Sequence, residues 1–79
     1  MNNKFEIQFA TAEDVKVFCS KARKRAFDID IQSGNYMVDG KSILGLFSLN
    51  LSKPLTVICH TDDPDAVSSF KIECSRYVA

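Results

Sequence analysis

The chain lacks both a long apolar run and an excess of either charge. No segment approaches the roughly 20 consecutive apolar residues that a membrane-spanning helix needs, and residues 1–4 do not lead into the apolar stretch of a signal peptide. Ten basic side chains balance ten acidic ones, which argues against general binding to nucleic acid or to a membrane surface. We therefore expect a cytoplasmic protein that binds neither directly.

The sequence also lacks the motifs of common enzyme and cofactor sites. Its three glycines form no phosphate-binding loop, and neither a nucleophile elbow nor a catalytic triad is present. Its three cysteines, Cys19, Cys59 and Cys74, have no CxxC spacing. Each lies on an apolar face, so we interpret them as buried free thiols, with a disulfide or a metal site as the weaker alternative. We expect no enzymatic activity, no cofactor and no metal.

What is present is a regular succession of strand and helix patterns. Apolar residues recur with period two, which is typical of half-buried strands, in residues 4–9, 27–32, 36–38 and 55–60. Apolar residues with helical spacing follow Thr11, Ser42 and Pro64. Threonine and serine are favoured as helix N-caps, and proline is favoured in the first turn of a helix. The apolar stripes predicted for the first and last helices are Val15, Phe18, Cys19 and Ala22, and Val67, Phe70, Cys74 and Tyr77.

The order of these patterns predicts the fold class. It is β-α-β-β-α-β-α over residues 1–79, a length that fits a single domain. Every strand has one apolar and one polar side, which suits a sheet with one face in water. We therefore expect an α+β open-faced sandwich, in which three helices cover one face of a four-stranded antiparallel sheet.

The second predicted helix, from Ser42 to about Asn50, is the most informative segment. Ser42 is placed to cap it, and its apolar residues go round all sides, which a short helix on a small domain cannot bury completely. Leu46 and Leu49 are spaced to face the sheet. The side chains that we expect outside, as a surface for a partner protein, are Ile43, Leu44 and Phe47. Basic residues that either rim this surface or form a solvated face are Lys16, Arg23, Lys24 and Lys41.

This segment resembles HPr, the histidine-containing phosphocarrier protein of the bacterial sugar phosphotransferase system. Residues 41–49 read Lys-Ser-Ile-Leu-Gly-Leu-Phe-Ser-Leu, where that family commonly has Lys-Ser-Ile-Met-Gly-Val-Met-Ser-Leu. The resemblance extends over residues 15–79, and the element order agrees with it. It implies the HPr-like fold, and it places Ser42 at the serine that a dedicated kinase phosphorylates in some Gram-positive bacteria.

The chain departs from the family at the phosphoryl-accepting histidine. In the family this residue opens the first helix in a Gly-hydrophobic-His-x-Arg-Pro motif. Ungapped register from Ser42 places Thr11 at the histidine, Glu13 at the arginine and Asp14 at the proline. A phosphohistidine relies on a helix N-terminus and an arginine, whereas two carboxylates in this turn would repel it. We expect Thr11 to act mainly as a helix cap, although a threonine can in principle accept phosphate.

His60 and a small acidic cluster each have two interpretations. His60, the one histidine, falls at the end of the fourth predicted strand, and we interpret it as an exposed side chain. As a surrogate phosphoryl acceptor it would lack a neighbouring arginine and a glycine-rich loop. Asp62, Asp63 and Asp65 are interpreted as caps and dipole partners of the last helix, with a metal site as the weaker alternative.

The sequence therefore predicts an HPr-like protein without the histidine phosphocarrier site. We expect it to act through protein–protein contacts of the Ser42 helix, with Ser42 as the regulatory phosphorylation candidate. The resemblance implies, as partners, components of the sugar phosphotransferase system, a serine kinase or a transcription regulator, because relatives without the histidine serve as corepressors. Two alternatives stay open, namely a phosphocarrier with a non-standard acceptor and a binding module unrelated to sugar uptake. The predicted partner-binding residues are Ile43, Leu44, Phe47, Lys41 and Arg23.

Overall fold

The computed structural model describes residues 3–78. The elements follow the predicted β-α-β-β-α-β-α order. Their bounds are β1 Lys4–Ile7, α1 Ala12–Arg23, β2 Asp28–Ser33, β3 Tyr36–Asp39, α2 Ile43–Phe47, β4 Leu55–His60 and α3 Pro64–Glu73.

The four strands form one antiparallel sheet in the order β1-β4-β2-β3. Val57 of the inner strand β4 is paired with Phe5 of β1 on one side and with Ile31 of β2 on the other. β2 and β3 form a hairpin whose loop has a φ of +58° at Gly34, a left-handed conformation that glycine adopts without steric cost. Residues from all three helices join those of one sheet face in a single core, which confirms the α+β open-faced sandwich.

The core is built around the aromatic ring of Phe70. This ring lies 6.1 Å from that of Phe5, 5.7 Å from that of Phe18 and 6.4 Å from that of Phe27, centroid to centroid. Edge-to-face and tilted arrangements at such distances add to the gain from burial itself. Phe70 therefore joins α3 to β1, to α1 and to the start of β2.

The three cysteines are buried and free, as the sequence predicts. Burial raises the pKa of the Cys59 thiol to about 11 and that of the Cys74 thiol to about 11. A thiol held neutral in apolar surroundings is a poor nucleophile, so these side chains serve packing.

The second helix is shorter than predicted. α2 ends at Phe47 and not near Asn50, because the backbone N–H groups of Ser48 and Leu49 bond to carbonyls only three residues back, at 3.1 and 3.2 Å. The Ser48 hydroxyl also donates to the Gly45 carbonyl at 2.6 Å. Such tight closure typically ends a helix. Leu49, predicted on the helix face, is half-buried and packs against the core from the turn that follows.

The ends of β1 and α3 also differ from the prediction. β1 ends before Phe9, which is nevertheless buried, and α3 ends before Tyr77, which is buried too. The Tyr77 carbonyl accepts a hydrogen bond from Gln8 N at 2.8 Å, and the rings of Phe9 and Tyr77 lie 5.6 Å apart. The periodic pattern therefore identified buried residues correctly but assigned Phe9 and Tyr77 to elements that stop short of them.

Candidate functional site

The start of α1 is closed by side chains of the chain itself. Thr11 is the N-cap, and its Oγ1 accepts a hydrogen bond from Asp14 N at 3.2 Å. In return, Asp14 Oδ2 accepts hydrogen bonds from Ala10 N at 2.9 Å and from Thr11 N at 3.1 Å. This reciprocal capping box confirms that Thr11 opens the helix. It also places the Asp14 carboxylate on the N–H groups of the two residues that lead into α1.

The electrostatics of this helix end favour the ionised carboxylate. The hydrogen bond from Ala10 N holds the pKa of Asp14 below its ordinary value, against the opposing effect of burial, and Thr11 and the positive charge of Arg76 contribute in the same direction. Sequence reasoning missed this role of Asp14, although the Thr11-x-x-Asp14 spacing is itself a capping signal. It had no means of finding Arg76, because only tertiary packing brings that residue close.

The start of α2 is capped by Ser42, as predicted. Ser42 Oγ accepts a hydrogen bond from Gly45 N at 3.2 Å, and Ser42 N donates to the Asp39 carbonyl at 3.0 Å. The neighbouring Lys41 Nζ donates to the Arg25 carbonyl at 2.8 Å. Since Arg25 is the second residue after α1, this contact places Ser42 toward the C-terminal end of α1, whereas Thr11 lies at the other end.

The apolar residues of α2 divide into buried and exposed sets. Leu46 is fully buried, while the exposed fraction is 80% for Leu44 and 40% for Phe47. Ile43 differs from the expectation, because it is half-buried and packs against the core. α2 lies against both α1 and β3, and Ile43, its first residue, faces residues of α1. Leu44 and Phe47 therefore form the exposed apolar part of the predicted surface.

A groove that is basic on its α1 side lies between α1 and α2. Arg23, predicted as a partner-binding residue, is exposed on its α1 side, and Ile43 lies on its α2 side. Lys41 does not line it, because its ammonium is held by the Arg25 carbonyl. We call this feature the α1–α2 groove; its lining residues are Lys16, Cys19, Ser20, Arg23, Lys24 and Ile43.

The remaining polar candidates lie at the opposite end of the sheet from Thr11. His60 Nε2 lies 2.7 Å from Asp30 Oδ2, on the polar face of the sheet; this cross-strand contact was not predicted. Asp63 is the N-cap of α3 and accepts from Asp65 N at 2.9 Å, which confirms its interpretation as a cap. Within residues 3–78, no three His, Cys, Asp or Glu side chains are grouped so as to hold a metal ion.

The fold is that of the HPr phosphocarrier proteins. A crystal structure of the phosphocarrier protein HPr from Bacillus anthracis superimposes with a TM-score of 0.74 at 20% identity, over 96% of this chain and 95% of that one. HPr from Thermoanaerobacter tengcongensis, in a structure of HPr-C-His, gives a TM-score of 0.71 at 25% identity, over 89% and 84% of the two chains.

A third structure of the same fold is Crh, the Bacillus subtilis catabolite repression containing protein, in which a swapped domain makes an intertwined dimer. It matches with a TM-score of 0.66 at 22% identity, over 92% of this chain and 87% of that one. No model of a protein family matches the sequence, and no curated protein matches it either. No helix among residues 3–78 is long and apolar enough to cross a membrane.

Proposed function

We propose that this chain, as one HPr-like domain over residues 1–79, is a cytoplasmic regulatory protein related to the sugar phosphotransferase system. In this proposal it acts by protein–protein contact through the surface that starts at Ser42, and it is not a histidine phosphocarrier. The observation that carries the proposal is the contrast between the two helix starts. The start of α1 holds the Asp14 carboxylate, whereas the start of α2 lies beside the exposed apolar side chains of Leu44 and Phe47.

The first half of the contrast concerns phosphoryl transfer. A phosphoryl group at the start of α1 would need the N–H groups of that helix end and a nearby cation. The Asp14 carboxylate already accepts hydrogen bonds from Ala10 N and Thr11 N, and Glu13 adds a second negative charge in the same turn. A dianion at Thr11 would meet both carboxylates at close range. This argues against a carrier role for Thr11.

The second half concerns recognition. Leu44 and Phe47 are exposed on α2, and the α1–α2 groove, which Ile43 of the same helix lines, carries the cationic side chains of Lys16, Arg23 and Lys24. Protein–protein interfaces usually have an apolar centre and a polar rim. A phosphate on Ser42 would add about −1.5 to −2 charges at the edge of this surface, so it would change which partner binds. The partner classes are a serine kinase, a transcription regulator or phosphotransferase-system components.

The test is phosphorylation of Ser42 by the serine kinase that acts on HPr proteins. With ATP, we expect the wild-type protein to gain one phosphate by intact mass and Ser42→Ala to gain none. Ser48→Ala, a change of the same kind in the same segment, should gain one as well. Phe47→Glu should slow the reaction by about tenfold or more if the kinase docks on α2, whereas Ile72→Glu, at an exposed site on α3, should not.

Two results would contradict the proposal. Absence of any mass gain on the wild-type protein would remove the regulatory role of Ser42. Stoichiometric labelling by phosphoenolpyruvate and the first enzyme of the phosphotransferase system would establish a phosphocarrier instead. In that case, comparing Thr11→Ala with His60→Ala would identify the acceptor. We expect no transfer from phosphoenolpyruvate.

A further inference from the structure

The two edge strands of the sheet are protected to different degrees. β1 is bordered by the C-terminal segment, since Ile7 pairs with Val78, and it carries the charged side chains of Lys4 and Glu6. β3, at the opposite edge, pairs only with β2 among residues 3–78. It contains neither lysine nor proline, the residues that most often protect an edge strand from pairing with another chain. Its single charge, Asp39, lies at its end.

The backbone groups of β3 that face outward can be assigned from its pairing. Gly40 N donates to the Ile29 carbonyl of β2 at 2.7 Å. Alternate residues of an antiparallel strand direct their N–H and C=O groups to opposite edges, so Val38 and Tyr36 also bond to β2. Met37 and Asp39 therefore direct theirs to the open edge. The Asp39 carbonyl already accepts a hydrogen bond from Ser42 N at 3.0 Å. The backbone N–H and C=O of Met37 and the N–H of Asp39 face outward.

The side chains at this edge are apolar and exposed. The exposed fraction is 75% for Tyr36 and 52% for Met37. Tyr36 is on the same sheet side as Val38, which lies under Gly45 of α2, and Met37 is on the polar side. Large apolar side chains on an open strand edge favour addition of another strand.

We propose that β3 pairs antiparallel with β3 of a second copy of this chain, about a twofold axis at Met37, to give a continuous eight-stranded sheet. In this register Met37 faces its own equivalent, and the two residues exchange both of their backbone hydrogen bonds. Asp39 N donates to the carbonyl of Asn35 in the other copy. These bonds use the outward-facing groups of the edge and require no change in the β2–β3 pairing.

The side chains fit the same register. Tyr36 of one copy lies opposite Val38 of the other, and the twofold symmetry generates this pair two times. Pairs of an aromatic and a β-branched side chain stabilise adjacent strands. Asp39 lies opposite the neutral Asn35, so no like charges face each other. A shift of the axis by one residue to Val38 would place Asp39 opposite Met37 and leave Tyr36 opposite a glycine. The Met37 axis is therefore the register that the residues favour.

A strand pair of this length buries less surface than a standard stable interface, so we expect a weak dimer that forms toward millimolar concentration. Sedimentation equilibrium over micromolar to millimolar concentration measures it. Met37→Lys should lower the association constant by about tenfold or more, because it opposes like charges across the axis. Ile72→Lys makes the same kind of change at an exposed position of α3 and should leave association unchanged.

A second variant separates loss of pairing from loss of folding. Met37→Pro removes only an outward-facing N–H, a position where edge strands tolerate proline, and it should also abolish the dimer while circular dichroism shows a folded monomer. A wild-type chain that stays monomeric at millimolar concentration would overturn the proposal. So would equal effects of Met37→Lys and Ile72→Lys, which would place the interface elsewhere. Neither result involves Ser42, Leu44 or Phe47, so failure of the dimer proposal would not count against the proposed function.

Discussion

At the scale of single residues, Asp14 decides what the start of α1 can do. Its carboxylate accepts two backbone hydrogen bonds, from Ala10 N and Thr11 N, and these fix the turn that leads into the helix. Charge-assisted bonds of this kind are among the stronger ones on a protein surface. The same carboxylate places a negative charge at this helix end, which disfavours a second anion there.

The pH dependence of stability tests this role of Asp14. Its pKa in the folded protein is lowered from 3.8, chiefly by the hydrogen bond from Ala10 N. The stabilisation is therefore complete above pH 3.8 and is lost as the pH falls through the lower folded value. We expect Asp14→Asn to be less stable than the wild type at neutral pH, with the difference shrinking in acid. Urea unfolding from neutral pH down to the acid limit of folding measures this.

A control for Asp14 is Thr11→Ala, which removes the other half of the capping box. This change should cost about 1 kcal/mol with little dependence on pH, because a hydroxyl does not titrate in this range. A constant difference between Asp14→Asn and the wild type at all pH values would contradict the assignment.

At the scale of elements, the approach of β3 to β2 depends on Gly40. A Cβ at this position would lie 2.9 Å from Ile29 Cγ2 and 3.1 Å from the Ile29 carbonyl oxygen. The carbonyl belongs to a paired strand and cannot move without breaking the hydrogen bond that Gly40 N donates to it. The link between the hairpin and α2 therefore needs glycine for space rather than for an unusual φ.

We expect Gly40→Ala to destabilise the protein by about 1–3 kcal/mol, as overpacking does elsewhere. Chemical denaturation followed by circular dichroism gives this free energy. Gly34→Asn is the matched control in the same hairpin, since no atom lies within 4 Å of a Cβ there and asparagine tolerates a positive φ. It should cost less than Gly40→Ala. The reverse order would show that turn conformation, and not close packing, limits the hairpin.

At the scale of the whole molecule, the three thiols report how the core opens. Cys59 and Cys74 are completely buried, and burial raises the pKa of each to about 11. Cys19 has an exposed fraction of 4% and lines the α1–α2 groove. Reagents therefore reach Cys59 and Cys74 only when the domain opens.

Labelling with a thiol-specific reagent at neutral pH checks this expectation. In the native protein, we expect Cys19 to react first and Cys59 and Cys74 to react at the rate of global opening, whereas all three react at once in denaturant. Peptide mass mapping assigns the order. Fast native labelling of Cys59 would mean that β4 is accessible without unfolding, contrary to its inner position in the sheet.

Local patterns in the amino-acid sequence predict the fold class, the element order and the helix caps at Thr11 and Ser42. These features depend on hydrophobic period and on side-chain bonds to backbone groups within a few residues. Such signals are local, so one sequence contains them completely. Local signals also identified Leu44 and Phe47 as outward-facing on α2.

How residues far apart in the sequence meet depends on tertiary packing. Tertiary packing half-buries Ile43 against the core, brings Arg76 near Asp14, holds Lys41 on the Arg25 carbonyl and leaves β3 as an open edge. The physical reason is that exposure and ion contacts depend on which elements pack together. Strand order in particular is not encoded in any local period, since β4 enters the sheet between β1 and β2 from the far end of the chain.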